Sequence, residues 1–587
     1  MITPSIQDDI NKLLKDSIDN FLKELNNSSI SKEQISTNWG SLDNVYQHYQ
    51  NSQIFNRRLQ FNPFVIVYCK SLSDVYDTFN AAKNNKLPFR VRAGGHDHEG
   101  ECTGTNVVLI DVSKMNKVEV IDTIAHIQPG IRFKDLTSQL ADKDVMIPHG
   151  TCATVGIAGF TMGGGWGPWT RKYGMCCERL VGATIILGNG TIQKIIQKDS
   201  VHLIYELNKN GDVIKLISES SGIHDLLWAL RGGGGMSYGI VTELQIATFE
   251  LPKILHRFNI VWNPYSHINP DEVVGNVPAL DVLKKWEEII QPINAPQLIG
   301  TNLKMSARSW NEDTPVPYKT INLNCQFNGY WEGNEDSLRT FVKESFKGVL
   351  SVTDEMLTIE PATGADFKNK SSYGENLMSS WDRESFNEIK TALLGDHLLM
   401  GTPLQPDQDL PAPHKITSRL VDNIGLGEEG HQKLIESLCS PLLNEHNRKN
   451  TITTYITLGA ITGDFYKNHP ETDSAFPYND KQYTIQYQCW WEALDANMDP
   501  DIKKYIEDKI KNFQDNTLYD YTNRALDWIE VCRDFDIPNT SGAFISFKDS
   551  SIPTKTYFAQ NYEELIKVKE KYSKDPFNHF RTRKTII

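Results

Sequence analysis

Glycine is concentrated at four places where a ligand could lie against bare backbone. They are Gly94-Gly95, the stretch with Gly150, Gly156 and Gly159, the run at 163–167, and the run at 232–235. Positions without a Cβ accept positive φ and close approach, and successive N–H groups in such turns form anion nests. Together the four loops suggest a large phosphate-bearing cofactor. The familiar signatures are missing: there is no G-x-x-x-x-G-K-[ST] and no G-x-G-x-x-G opening a helix after a strand. Gly235-Met236-Ser237-Tyr238-Gly239 fits the G-x-S-x-G hydrolase pattern, but its sequel GIVTELQIATF reads as a strand where a nucleophile elbow requires a helix. His96-Asp97-His98, with Glu99 and Glu101, has metal-ligand chemistry but no second ligand group at metal spacing, so no metal is expected. One thiol differs from the rest: Cys152 lies in a glycine-rich loop, where backbone N–H donors favour a thiolate and covalent chemistry. Cys176-Cys177 and the six isolated cysteines read as small buried hydrophobes.

These loops punctuate an alternation of strands and helices. Residues 7–26 read as an amphipathic helix, followed by an Asn/Ser-rich connector through Thr37. PFVIVYCK predicts a strand, SLSDVYDTFNAAKNN a helix opening at Ser73, and LPFRVRAGG a second strand leading into Gly94. VVLIDVS, KVEVIDT and AHIQPG predict three more, then a helix from Phe133 to Ala141 and the glycine-rich 150–167. Two β-runs, LVGATIILGNGTIQK and DVIKLIS, follow. Leu251-Pro252 marks a boundary. Beyond it strand-like runs (TINLNCQFNGYWEG, TITTYITLGAI, KQYTIQYQCWWEA) alternate with charged helical ones (ALDVLKKWEEII, DSLRTFVKESFKGVL, DIKKYIEDKIKNF). That pattern predicts a second α+β unit on an antiparallel sheet.

Composition removes other functions. With 60 Lys+Arg against 74 Asp+Glu in 587 residues, the net charge of −14 lacks the basic footprint of a nucleic-acid or anionic-membrane binder. No run approaches the ~20 apolar residues of a membrane span, and no secretory signal is visible, so a cytoplasmic protein is expected, with secretion left open. The oligomeric state is not legible.

The chain resembles the berberine-bridge-enzyme-like branch of the vanillyl-alcohol-oxidase (PCMH-type) flavoproteins. RVRAGGHDHEG is similar to the family segment whose His bonds the flavin 8α-methyl, here His96, and GTCATVGIAGFTMGGGWG to the segment whose Cys bonds flavin C6, here Cys152. RKYG, DLLWALRGGGGMSYGIVTEL, SAFPYNDKQYTIQY and YFAQNYEELIKVKEKYSKDPFNHF follow in the family's order. The resemblance implies an α+β, two-lobed fold with bicovalent FAD: an N-terminal helical extension (1–54), an FAD-binding domain (55–252), a substrate domain on a helix-covered antiparallel sheet (253–539), and a segment returning to the FAD domain (540–587). It also implies flavin contacts from Arg92, Gly94, Gly95, Asp97, Gly150, Thr151, Val155, Gly156, Gly159, Phe160, Gly164, Gly239, Ile240, Val241 and Asn578.

The implied reaction is proton removal from a hydroxyl-bearing small molecule (a sugar, alcohol or secondary metabolite) with hydride transfer to flavin N5, and O2 reduced to H2O2. Val155 stands at the family position that gates O2, where a small side chain goes with oxidase behaviour. Relatives often carry a tyrosine base in Y-x-N-Y-x-D; here the same place reads Phe544-Ile545-Ser546-Phe547-Lys548-Asp549. Phenylalanine cannot accept a proton, so the base is expected among Tyr455, Tyr487 and His98. Alternatives are a dehydrogenase or oxidative cyclase of the same fold, or a flavin-loaded protein without turnover.

Overall fold

Three sheets organise the chain in this computed structural model. It describes residues 4–199, 201–221, 225–264, 275, 277–291, 294–348, 350–363, 413–443, 452–491, 517–573 and 580–586. The first sheet has four strands in the order Ile35–Thr37, Val65–Tyr68, Val108–Asp111, Phe89–Arg92, parallel except for the first. The region expected as a helical extension therefore contributes a strand. Its helix Pro4–Asn26 also buries Phe21 and Leu25 against Val75 and Phe79 of helix Leu72–Asn84. That second helix starts earlier than Ser73: Ser71 caps it by accepting from the Asp74 N–H at 3.1 Å.

A seven-stranded antiparallel sheet runs from the hairpin Val201–Leu207/Val213–Ser220 through Ile192–Lys198, Leu180–Leu187 and Gly239–Ala247 to Ile124–Ile127 and Val118–Ile121. Ile186, Ile192, Leu207 and Ile240 of this sheet share one core with Val65, Val67, Val108 and Ile110 of the first, which makes the two sheets a single lobe.

The third sheet has eight antiparallel strands, with Leu298–Ser306, Ile452–Ala460, Tyr483–Trp491 and His414–Val421 at its centre. Side chains alternate across a strand, and here the two faces differ in kind. Leu303, Met305, Ile456, Leu458, Ile485, Tyr487 and Cys489 pack against helices Ala279–Ile289, Glu335–Phe346, Gly427–Ser437 and Thr517–Asp534. Asn302, Lys304, Thr457, Gln486, Gln488 and Trp490 point the other way, into a cavity of about 350 Å³ between this sheet and the first lobe. The segment after Ala543 crosses back: Ile552, Tyr557, Phe558, Leu565 and Ile586 join the core under the seven-stranded sheet. The helical run 501–513 lies outside the described residues.

Candidate functional site

Two loops form the floor of the cavity. The first leaves strand Phe89–Arg92 and carries His96, Asp97 and His98; the second carries Gly150, Thr151, Cys152, Val155 and Gly156. They touch through bare backbone: a Cβ on Gly94 would lie 2.5 Å from the Gly156 nitrogen, and one on Gly156 2.7 Å from the Gly94 nitrogen. No side chain fits at either position, which is why both are glycine. The contact brings His96 and Cys152, 56 positions apart in sequence, to the wall of one cavity.

Asp97 ties the first loop down. Its Oδ1 accepts from the Glu99 and Glu101 N–H groups at 3.0 and 3.1 Å, and its Oδ2 accepts from Lys548 Nζ at 2.6 Å. Burial pushes the Asp97 carboxyl up, but Lys548 and the two backbone N–H groups outweigh it and hold the group below the usual carboxylate range. Asp97 is thus committed to loop geometry. Among the described residues no group of three His, Cys, Asp or Glu is arranged to hold a metal ion.

His98 lines the cavity, and its Nδ1 lies 2.9 Å from Nε2 of His414, one ring donating and the other accepting. His414 is fully buried and stacks on Trp490 at 3.9 Å. Nothing in the sequence links positions 98 and 414; the pairing depends on the third sheet reaching over the loop.

The other two base candidates lie on neighbouring strands with opposite outcomes. Tyr487 faces the helices: its hydroxyl bonds Ser437 Oγ at 2.7 Å, it packs on Trp528, and burial pushes its pKa well up. It does not reach the cavity, because it shares the helix side of its strand with Tyr483, Ile485 and Cys489. Tyr455 is on the cavity side but sits behind Gln488, donating to Oε1 at 3.2 Å. The same Oε1 accepts from Trp490 Nε1 at 2.9 Å, and Gln488 Nε2 donates to Thr457 at 3.0 Å. That network fixes the carboxamide and spends the Tyr455 proton on it.

Of the expected cofactor contacts, Gly94, Gly95, Asp97, Gly150, Thr151, Val155, Gly156, Gly159, Phe160, Gly239, Ile240 and Val241 line the cavity. Two do not. The Arg92 guanidinium turns away to a buried ion pair with Asp111 at 2.7 Å, and Gly164, at φ +111°, packs against Phe476 and Phe544. Asn578 lies outside the described residues. Phe544, Ser546, Phe547 and Lys548 line the cavity, so phenylalanines stand at the two positions where the resemblance implies tyrosines. Lys304, Asn302 and Gln486 are cavity residues that the sequence reading missed.

The residues present fit a long, flat, phosphate-bearing group. A Cβ on Gly159 would meet nothing within 4 Å, so this backbone opens directly into the cavity. Positive φ recurs at Gly232 (+93°), Gly234 (+84°) and Met236 (+63°), a tight turn in which the Gly233 and Gly234 N–H groups donate to the Ala229 and Met162 carbonyls at 3.0 and 2.9 Å. Gly234, Gly235 and Met236 line the same cavity as His96 and Cys152.

Comparison with known proteins agrees with this reading. Residues 63–195 match the FAD binding domain family and residues 543–587 the berberine and berberine-like family. Berberine bridge enzyme-like 5 of Arabidopsis thaliana is 26% identical over 540 residues, 89% of this chain and 84% of that protein. Among solved structures, BBE-like 1 of Physcomitrella patens superposes with a TM-score of 0.66 at 18% identity, covering 97% of this chain and 99% of that one. The glucooligosaccharide oxidase of Acremonium strictum, described as carrying a 6-S-cysteinyl, 8α-N1-histidyl FAD, has a TM-score of 0.62 at 19% identity, covering 91% of this chain and 94% of that one. At these identities the solved structures show a shared α+β fold.

Proposed function

We propose that the chain, whose residues 63–195 match the FAD binding domain family and residues 543–587 the berberine and berberine-like family, is an FAD-linked oxidase of hydroxyl-bearing small molecules whose FAD is bonded to both His96 and Cys152. The observation that carries this reading is the presentation of the two side chains on one cavity wall by loops in glycine-to-glycine contact. Bound FAD supplies a hydride acceptor and passes the electrons to dioxygen, giving H2O2.

The chain's own residues do the rest. His98 takes the hydroxyl proton, and His414 behind it holds the imidazole in place and shares the charge through their hydrogen bond. Tyr455 is a positioning residue that orients Gln488. Asn302, Lys304, Thr457, Gln486 and Gln488 form a polar ceiling beside Trp490, chemistry suited to a polyhydroxylated substrate. Phe544 and Phe547 keep water off the reacting face.

Acid precipitation tests the tethers without any substrate. Yellow colour is expected to stay with the pellet in wild type and in His96→Ala and Cys152→Ala singly, and to leave in the double variant. Flavin washing out of wild type would remove the covalent assignment.

Val155 separates oxidase from dehydrogenase. It lines the cavity half-buried, three residues after Cys152. Val155→Leu adds bulk there and is expected to slow reoxidation of dithionite-reduced protein by air-saturated buffer, followed at the flavin absorbance by stopped flow. Equal rates would show that oxygen enters elsewhere; slow reoxidation in wild type would favour a dehydrogenase.

A further inference from the structure

His96 is held by more than its own loop. Its Nε2 lies 2.6 Å from Thr154 Oγ1, on the facing loop two positions after Cys152. Its ring stacks on Phe55 at 3.7 Å with 22° between planes. Phe55 is fixed in turn: its N–H donates to the Gly95 carbonyl at 2.9 Å, and its ring stands edge-on to Trp490. The ring plane and one nitrogen of His96 are therefore set, and Nδ1 is the nitrogen left over. A neutral imidazole is nucleophilic only at the nitrogen without the proton, and the hydrogen bond at the other nitrogen decides which that is.

We propose that Thr154 is a positioning residue for flavin attachment: its Oγ1 accepts the Nε2–H of His96, placing the lone pair on Nδ1 and directing the covalent bond to that atom. The inference rests on the covalent-FAD reading above. Burial, with His98 and Arg132 nearby, holds His96 well below the ordinary histidine pKa, so the ring is neutral and the site of its single proton is what matters. The step balances. The Nδ1–C8α bond forms as a C8α–H bond breaks, that proton and the Nε2–H of the alkylated ring are released, and the two electrons pass through the flavin to dioxygen, which takes up two protons to give H2O2. The arrangement also links the two tethers, since the hydroxyl that orients His96 belongs to the loop that carries Cys152.

The test uses Cys152→Ala, where His96 is the one remaining tether, combined with Thr154→Val or Thr154→Ser. Each protein is loaded with FAD and precipitated with acid at intervals. Covalent flavin per chain is then measured, and the histidyl-flavin is digested and chromatographed against authentic Nδ1 and Nε2 isomers. The parent and the serine variant are expected to attach flavin completely, at Nδ1. The valine variant is expected to attach it about tenfold more slowly, the equivalent of about 1.4 kcal/mol and one lost neutral hydrogen bond, with part of the product at Nε2, while still binding dissociable FAD. Attachment in the valine variant at the parental rate and at Nδ1 alone would overturn the inference. Should the valine variant bind no flavin, Thr154→Ala, with no γ-methyl to accommodate, takes its place under the same two outcomes. Complete loss of flavin from acid-treated wild type is a different failure, that of the covalent reading itself, and the inference falls with it.

Discussion

His98→Gln is expected to lower kcat by about 10²–10⁴-fold, the range for loss of a positioned general base, while covalent flavin content stays at the wild-type level. His98 is not a tether, and the neighbouring fold is held by other groups: its carbonyl accepts from Asn56 Nδ2 at 2.6 Å, a contact the substitution leaves in place. The limb of the pH–rate profile that reports the base should disappear as well. The measurement is H2O2 release from a substrate found by screening sugars and alcohols, across pH. Tyr455→Phe provides the contrast. Its hydroxyl donates to a glutamine that also accepts from Trp490, so removal loosens one amide and should cost less than about tenfold, near one hydrogen bond. A collapse in Tyr455→Phe with full activity in His98→Gln would reverse the two assignments.

The second large effect concerns stability. Lys415 is buried and donates to Glu99 at 2.9 Å and to Asp549 at 3.1 Å, both carboxylates almost wholly enclosed. This triad fastens the His98 loop, the third sheet and the returning C-terminal segment to one another. Removing one partner of a buried ion pair costs about 3–5 kcal/mol, because the other charge is stranded. Lys415→Met should fall near about 3 kcal/mol, since Asp549 keeps Arg533 at 2.6 Å and Glu99 keeps Arg58 at 3.6 Å. The readout is the denaturant midpoint of the flavin-loaded protein. The pH dependence has a definite sign. Burial pushes the Asp549 carboxyl up, but Lys415 and Arg533 prevail and hold it low. A depressed carboxyl stabilises above its unfolded value, about 3.9, and loses that contribution as pH falls through its folded value. Wild type should therefore weaken below about pH 4. Lys415→Met leaves Asp549 costlier as an anion, so the gap between the two proteins should narrow as pH falls from 7 toward 4. A gap that widens on acidification would contradict this account.

Much of the floor of the site was legible because its chemistry is local. The helix at Phe133–Ala141 falls where apolar periodicity puts it, and the glycine loops declare themselves by composition. The strand Ile35–Thr37 did not, because three residues carry no periodicity and its partner is Val65–Tyr68. The ceiling was harder still. In TIQYQCWW aromatic residues occupy both faces, and aromatic identity alone does not say which face meets the cavity. The two glutamines, Gln486 and Gln488, were the usable signal: uncharged amides at alternate positions in a buried strand mark its polar side. By the same reasoning Lys304, a charge inside an otherwise buried strand, points to a polar cavity. Arg92 misled for the converse reason. It flanks the His96 loop, yet strand alternation delivers its guanidinium to Asp111.

The way the C-terminal segment closes over the site bears on how the protein is made. The two loops of the cavity floor are complete once residue 156 has been synthesised, but Thr582, which lines the same cavity, follows by more than four hundred residues. At about 5–20 residues per second, the nascent floor waits for tens of seconds with its glycine cradle open. Wall residues Phe544–Lys548 arrive in the same late interval, as does Ile586, whose N–H donates to Ser237 Oγ at 3.1 Å. The cavity is therefore not fully walled until the last residues of the chain have been made.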